Sequence, residues 1–443
     1  MANSIAKNFR FFSLLRFAFP TMIMMLFMSL YTIVDGIFIS RLVGSHALSS
    51  TNIVYPVINL IIACGVMLST GGSALVAKKL GEGRESEARE DFSALLITGI
   101  LAGVGLMVVG LVFLEPLVRL LGATDLLLDD SMTYLRIALF FAPACILQLF
   151  FQTFFVTAGK PGYGLALICA GGVFNIVFDY IFMGPLEMGI AGAAIATGMG
   201  QMIPAVAGLL YFTFVRRHLY IVSPVLHKGT LFLSCSNGSS EMVTNISNAV
   251  ITFLFNSIML QLLGEPGVAA ITIVLYGQFL FNALYMGFSM GVGPVISYNY
   301  GCKNLPLLRR VVRICLTFIT VSSAVITAVA LIASPAIVGI FTPASTETYE
   351  IAKTGFFLFS FNYLFAGLNI FSSAMFTSLN NGPVSAAISF MRTFCFIVVN
   401  ILVLPKLIGV TGVWLAVPVA EFMTLFLSLY MIKTRWKRYF TAS

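Results

Sequence analysis

Two carboxylates stand in segments that carry almost no other charge. Asp35 lies in the apolar run 31–40, and Asp179 follows Phe174-Asn175-Ile176-Val177-Phe178. A carboxylate held at membrane depth is costly, and it marks an ion path, a proton relay or a substrate site. Asn175 precedes Asp179 by four residues, so on a helix the two share one face. Thr197 lies eight residues after Gly189, in the small-residue run Gly189-Ile190-Ala191-Gly192-Ala193-Ala194-Ile195-Ala196-Thr197. Carboxylate, amide and hydroxyl oxygens suit a hard monovalent cation such as Na⁺, and equally a proton. Two carboxylates close together also repel and compete for one proton. Asp35, Asn175, Asp179 and Thr197 are therefore the candidate cation site.

The elements that must position these groups are membrane helices. The chain has 443 residues, of which 59% are hydrophobic and only 9% charged, with a mean hydropathy of +0.99. That much apolar surface requires lipid as solvent. Twelve apolar stretches are expected to cross it, with limits near 14–39, 52–76, 92–114, 132–156, 163–183, 189–215, 234–262, 268–297, 310–333, 351–377, 384–404 and 409–432. The fold class is all-α and polytopic, since a barrel would alternate apolar and polar residues. The apolar N-terminal run is too long for a cleaved signal and is expected to be the first span. Pro20 is expected to kink it.

The net charge of +8 does not indicate nucleic acid, because the bases sit in short loops between spans. Nineteen Lys and Arg fall on one side. Five (Arg41, Arg119, Arg136, Lys353 and Lys406) fall on the other, with Arg392 set aside inside a span. Both termini are thus expected to be cytoplasmic, in the plasma (inner) membrane. Most of the seven cysteines lie in apolar runs and read as packing residues. No P-loop or zinc-protease motif is present, His46, His218 and His227 lack metal spacing, and no enzymatic activity or cofactor is expected beyond the coupling ion.

The second half repeats the first at a shift of 220 residues. Gly44 answers Gly264, the stretch from Gly71 to Gly81 answers that from Gly291 to Gly301, and Gly189 answers Gly409. Six spans per copy give both copies the same orientation, with a pseudo-twofold axis along the membrane normal. The expected division is a first lobe over 1–215, a basic linker over 216–230 and a second lobe over 231–443. Tyr31, Gln152, Met199, Gln201, Gln278, Asn282 and Met286 are polar or soft residues expected to face a central cavity. Glu241 reads as a water-facing or gating residue. Arg392 and Glu421 are either an interhelical pair or, for Arg392, a snorkelling side chain. The segment 78–91 reads as a solvated loop.

With these residues in view, the chain resembles the multidrug and toxic compound extrusion (MATE) family, in its DinF-like and MepA-like branch. The carriers are Val34-Asp35-Gly36-Ile37-Phe38-Ile39, the pair Asn175 and Asp179, the run that ends at Thr197, and Pro294-Val295-Ile296-Ser297-Tyr298-Asn299-Tyr300-Gly301. The resemblance implies two six-helix lobes in a V and export of cationic, lipophilic compounds driven by inward Na⁺ or H⁺. It also implies a first-lobe cation site at Asp35, Asn175, Asp179 and Thr197, with Gln152 in the cavity. Members with acids on the seventh and tenth spans differ from this chain, whose tenth span has none. The expected unit is a monomer in a lipid bilayer. The alternative reading is a lipid-linked oligosaccharide flippase, which would need a basic cavity.

Overall fold

A computed structural model describes residues 4–440 apart from Leu226. Among the described residues every regular element is helical. The first three spans are α1 (Phe11–Val43), α2 (Ser45–Gly81) and α3 (Glu85–Val112). The fourth, α4, is a bent pair, Asp125–Phe140 and Ala142–Thr157, that turns by 52°. The first half ends with α5 (Pro161–Met183) and α6 (Gly189–Phe214). A helical segment of 72 residues then runs from Thr230 to Gly301. At 1.5 Å per residue it would reach about three times the thickness of a bilayer core, so it cannot be one crossing. Its non-helical residue, Gly264 (φ 66°, ψ −154°), divides it into α7 (230–263) and α8 (265–301). Only glycine adopts that backbone geometry without strain. The last four spans are α9 (Leu305–Phe341), α10 (Glu347–Ser378, broken by a 3₁₀ turn at Ser360–Asn362), α11 (Gly382–Ile408) and α12 (Val410–Phe440). Twelve crossings result, as expected.

Several ends differ from the sequence reading. The first span continues through a π-helical turn, Ile39–Val43, and is unbroken at Pro20. Asp35 therefore lies about 12 Å along the axis from the C-terminal end of the span at Val43, one turn deeper than the apolar run alone suggests. The segment 78–91 is not a solvated loop. Only 82–84 leave the helices, Lys79 is buried, and Asp91 is 0% exposed. Lys79 pairs with Asp91, and the Thr230 hydroxyl donates to Asp91 Oδ1 at 3.0 Å. A hydropathy window cannot see that two opposite charges satisfy each other.

The apolar surface divides between lipid and core. Val321, Val325, Val329 and Ile332 form one exposed row on α9, the face expected of a helix against acyl chains. Two buried clusters fill the first lobe. A third, centred on Phe288, Phe371, Phe376 and Trp414, fills the second. The start of the chain belongs to this third cluster, because Ile5, Phe9, Leu14 and Ala18 pack there with Tyr439 and Phe440. The inner linker is strapped to α3: Arg89 Nε donates to the His218 carbonyl at 3.0 Å, Val222 N–H to Ser93 Oγ at 2.9 Å, and His227 Nε2 meets Glu90 at 2.8 Å.

Helix backbones meet between the lobes at this inner end. A Cβ on Gly71 of α2 would run into the Ser234 carbonyl of α7, and one on Gly291 of α8 into Thr21 of α1. Gly71 and Gly291 are the repeat-related pair, so one approach occurs twice about the pseudo-twofold. Gly71→Val should cost about 1–3 kcal/mol of stability and lower efflux sharply. Gly105→Val, which meets nothing within 4 Å, should leave both unchanged. Thermal unfolding in detergent and dye efflux from cells check the pair.

Candidate functional site

Three helices bring the predicted acids together. α1 carries Asp35, α5 carries Asn175 and Asp179 on one face, and α6 carries Thr197. Close approach is possible because the α5–α6 seam is made of glycine: a Cβ on Gly171 would meet the Gly200 carbonyl, and one on Gly200 the Gly171 carbonyl and Asn175. Asn175 Nδ2 donates to Thr197 Oγ1 at 3.3 Å. The Asp35 and Asp179 carboxyls lie within electrostatic range of each other, and Asn175 is one turn before Asp179 on α5.

Asp179 is 0% exposed and Asn175 3%, whereas Asp35 and Thr197 are half-buried. Four of the buried oxygens have no hydrogen-bond donor: Asp35 Oδ1, both Asp179 oxygens and Asn175 Oδ1. None of the ion pairs among the described residues involves Asp35 or Asp179. A buried carboxylate without a donor or counter-charge costs several kcal/mol. The arrangement is a set of acceptors that lacks only a positive charge. The carboxylate, amide and hydroxyl oxygens of Asp35, Asp179, Asn175 and Thr197 are hard donors, the type that suits a hard monovalent ion or a proton.

Beside the cluster lies a small space of ≈ 10 Å³, room for about one water. Tyr31, Gln148, Asn175, Thr197 and Gln201 line it, together with Gly171 and Gly172. Tyr55 and Tyr134 lie in electrostatic range of Asp35. Tyr31 and Gln201, expected to face a central cavity, line this small space within the first lobe; Gln148 was not singled out, although its polarity inside an apolar span was an available signal. Gln152 sits elsewhere, with its Nε2 3.5 Å from Met25 Sδ and 3.8 Å from Met290 Sδ, and so bridges the two lobes. Met199, Gln278, Asn282 and Met286 are half-buried and do not line the space beside Tyr31. A wider depression of ≈ 510 Å³ lies at the α7–α8 turn, lined by Phe253, Asn256, Ser257, Leu260, Glu265, Val268 and Ala269. It includes none of the predicted cavity residues.

In the second lobe Arg392 does not snorkel. Its Nε and Nη2 reach Glu421 Oε1 at 2.8 and 2.7 Å, and Glu421 is 0% exposed. Glu241 is half-buried in electrostatic range of Arg392.

Comparison with known proteins follows the same outline. The profile of the MatE family matches residues 20–181 and again 242–402, one copy in each half. A multidrug export protein MepA from Staphylococcus haemolyticus is 24% identical over 442 residues, covering 95% of this chain and 93% of its own. Two solved structures superpose with TM-scores of 0.91 at 21% identity, each covering 97% of this chain. They are a MATE in complex with MaL6, covered over 97% of its own length, and an outward-facing multidrug resistance MATE transporter of the MOP superfamily, covered over 96%.

The cluster generates a stability prediction. Asp179→Asn removes one of two repelling carboxylates without changing volume. The purified variant should melt about 2 °C or more above the wild type in buffer of low cation content at alkaline pH, and should lose the dependence of melting on Na⁺ and pH. A variant that melts like the wild type and keeps that dependence would show that the two acids do not share a cation.

Proposed function

The chain belongs to the MatE family, and from that membership we propose that it is a secondary antiporter exporting organic cations in exchange for Na⁺ or H⁺. The observation that carries this reading is the donor-free set of oxygens on Asp35, Asp179 and Asn175. A site built only of acceptors binds a cation and, once empty, repels itself. Two ligands are coupled when each prefers a different conformation. A cation entering from outside occupies Asp35, Asn175, Asp179 and Thr197 and draws α1 against α5 and α6. The exported compound is taken up between the lobes, where Gln152 lies against Met25 of one and Met290 of the other. Filling the first site closes the second, so uptake of the small ion drives release of the large one.

The names of its relatives support export of multiple drugs. The oligosaccharide flippase is not favoured, because no base lines the space beside the acids. One chain supplies both lobes and the whole cluster, so the unit is a monomer, with lobes over 1–215 and 231–443 joined by the linker. It sits in the plasma (inner) membrane with both termini cytoplasmic, Na⁺ or H⁺ its only cofactor.

Dye efflux from vesicles under separately imposed Na⁺ and pH gradients tests the function. Asp35→Asn and Asp179→Asn should each reduce gradient-driven efflux about tenfold or more, on the loss of roughly 1.4 kcal/mol of coupling. Efflux surviving both substitutions contradicts the site. Orientation is tested at Cys302, which is exposed in the turn between α8 and α9. A membrane-impermeant maleimide should label it in inside-out vesicles and not in intact cells.

A further inference from the structure

The two lobes can be compared residue by residue, because their turns carry matching backbone landmarks. Gly189 and Gly409, which open α6 and α12, have φ of 58° and 61°. Gly159 and Asn380, in the turns before α5 and α11, have φ of 72° and 55°. The same register holds in packing: Thr157 faces Ser73 at 2.7 Å, while Ser378 Oγ faces Gly293. In this register Asn369 answers Gln148, Arg392 answers the Gly171-Gly172 pair, and Glu421 answers Gln201.

Gln148, Gly171, Gly172 and Gln201 are four of the residues that line the small space beside the acid cluster of the first lobe. Their counterparts in the second lobe bond to each other. Arg392 donates through Nε and Nη2 to Glu421 Oε1, Asn369 Nδ2 donates to Glu421 Oε2 at 2.8 Å, and Ser428 Oγ donates to Asn369 Oδ1 at 2.9 Å. All four residues are buried. Arg392 lies within a π-helical stretch, Phe390–Phe396, a local widening that recurs at functional positions. At the positions that answer Asp35 and Thr197 the second lobe has Phe255 and Val417, and its acids on the matching helices are Glu421, which Arg392 contacts, and Glu241, in electrostatic range of Arg392. Where the first lobe has glycine, room and unpaired oxygens, the second has a guanidinium already seated on a carboxylate.

We propose that Arg392 is a tethered cation: its guanidinium, held by Glu421 and Asn369, fills in the second lobe the place that answers the small space beside the acid cluster of the first. The second lobe is thus permanently loaded, and only the first exchanges its cation during the cycle. This inference rests on the coupling role given to the first-lobe cluster. It adds a site specific for a guanidinium ion, which becomes available to free ligand when the arginine side chain is removed.

The test is chemical rescue. Arg392→Gly restores the first-lobe residue type and leaves Glu421 and Asn369 in place. The purified variant should melt below the wild type. Guanidinium chloride at about 10 mM should raise its melting temperature by several degrees, with choline chloride inactive. Neither wild type nor Arg392→Gly/Glu421→Gln should respond. In vesicles the same guanidinium should restore dye efflux by Arg392→Gly several-fold. A folded Arg392→Gly protein that ignores guanidinium overturns the proposal. If that variant does not fold, Arg392→Lys should retain efflux within about threefold, and Arg392→Met/Glu421→Met should lose about tenfold. Wild-type efflux and ion dependence in the double variant would mean that the pair only packs, and overturn the proposal. Melting reads guanidinium binding without reference to transport, whereas failure of the antiport reading would show in Asp179→Asn.

Discussion

Two neighbouring carboxyls, one fully buried and one half-buried, with no base paired to either, are the constraint around which this molecule is arranged. Asp35 and Asp179 meet across α1 and α5, and Asp179 has no donor on either oxygen. Such a pair is tolerated when a positive charge visits it, and it is unstable when none does. The surrounding sequence serves that alternation. Glycines at 171 and 200 let α5 and α6 touch, which places Thr197 within 3.3 Å of Asn175. The space beside the cluster holds about one water, and Asn175 and Thr197 line it.

The same fold then treats its two halves differently. Repeat-related glycines, Gly71 and Gly291, bring helix backbones together at the inner end of both lobes. Charges inside the second lobe are instead paired: Arg392 with Glu421, and Glu421 with Asn369. Breaking a buried pair by removing one partner is expensive, about 3–5 kcal/mol, so this lobe resists losing its charge. Where the first lobe has Gly171 and Gly172 near its acid pair, the second has the guanidinium of Arg392 seated on Glu421, so the two halves of a duplicated scaffold differ in charge at matching positions.

Much of this was legible before any coordinates. Twelve crossings, the duplication and the four residues of the first-lobe cluster follow from apolar run lengths, a constant offset and the scarcity of charge. The turn at Gly264 was visible as the partner of Gly44, and both have positive φ. The rest depended on partners that lie far apart in sequence. Lys79 and Asp91 looked like solvated charges because nothing local reveals that α2 and α3 bury them against each other. Arg392 carried two readings until Glu421 was found at 2.7 Å. Gln278, Asn282 and Met286 had suitable polarity, but polarity alone does not say which way a helix is turned.

The most direct measurement is the count of small cations exchanged when an organic cation binds. Purified protein in weakly buffered detergent solution, titrated with a cationic dye, should release Na⁺ or H⁺ in a ratio of about one per chain, as expected of a single exchanging site. Asp179→Asn should bind the dye with no release. Release of the same number of ions by that variant, or none by the wild type, would contradict the claim that this carboxyl pair couples the two ligands.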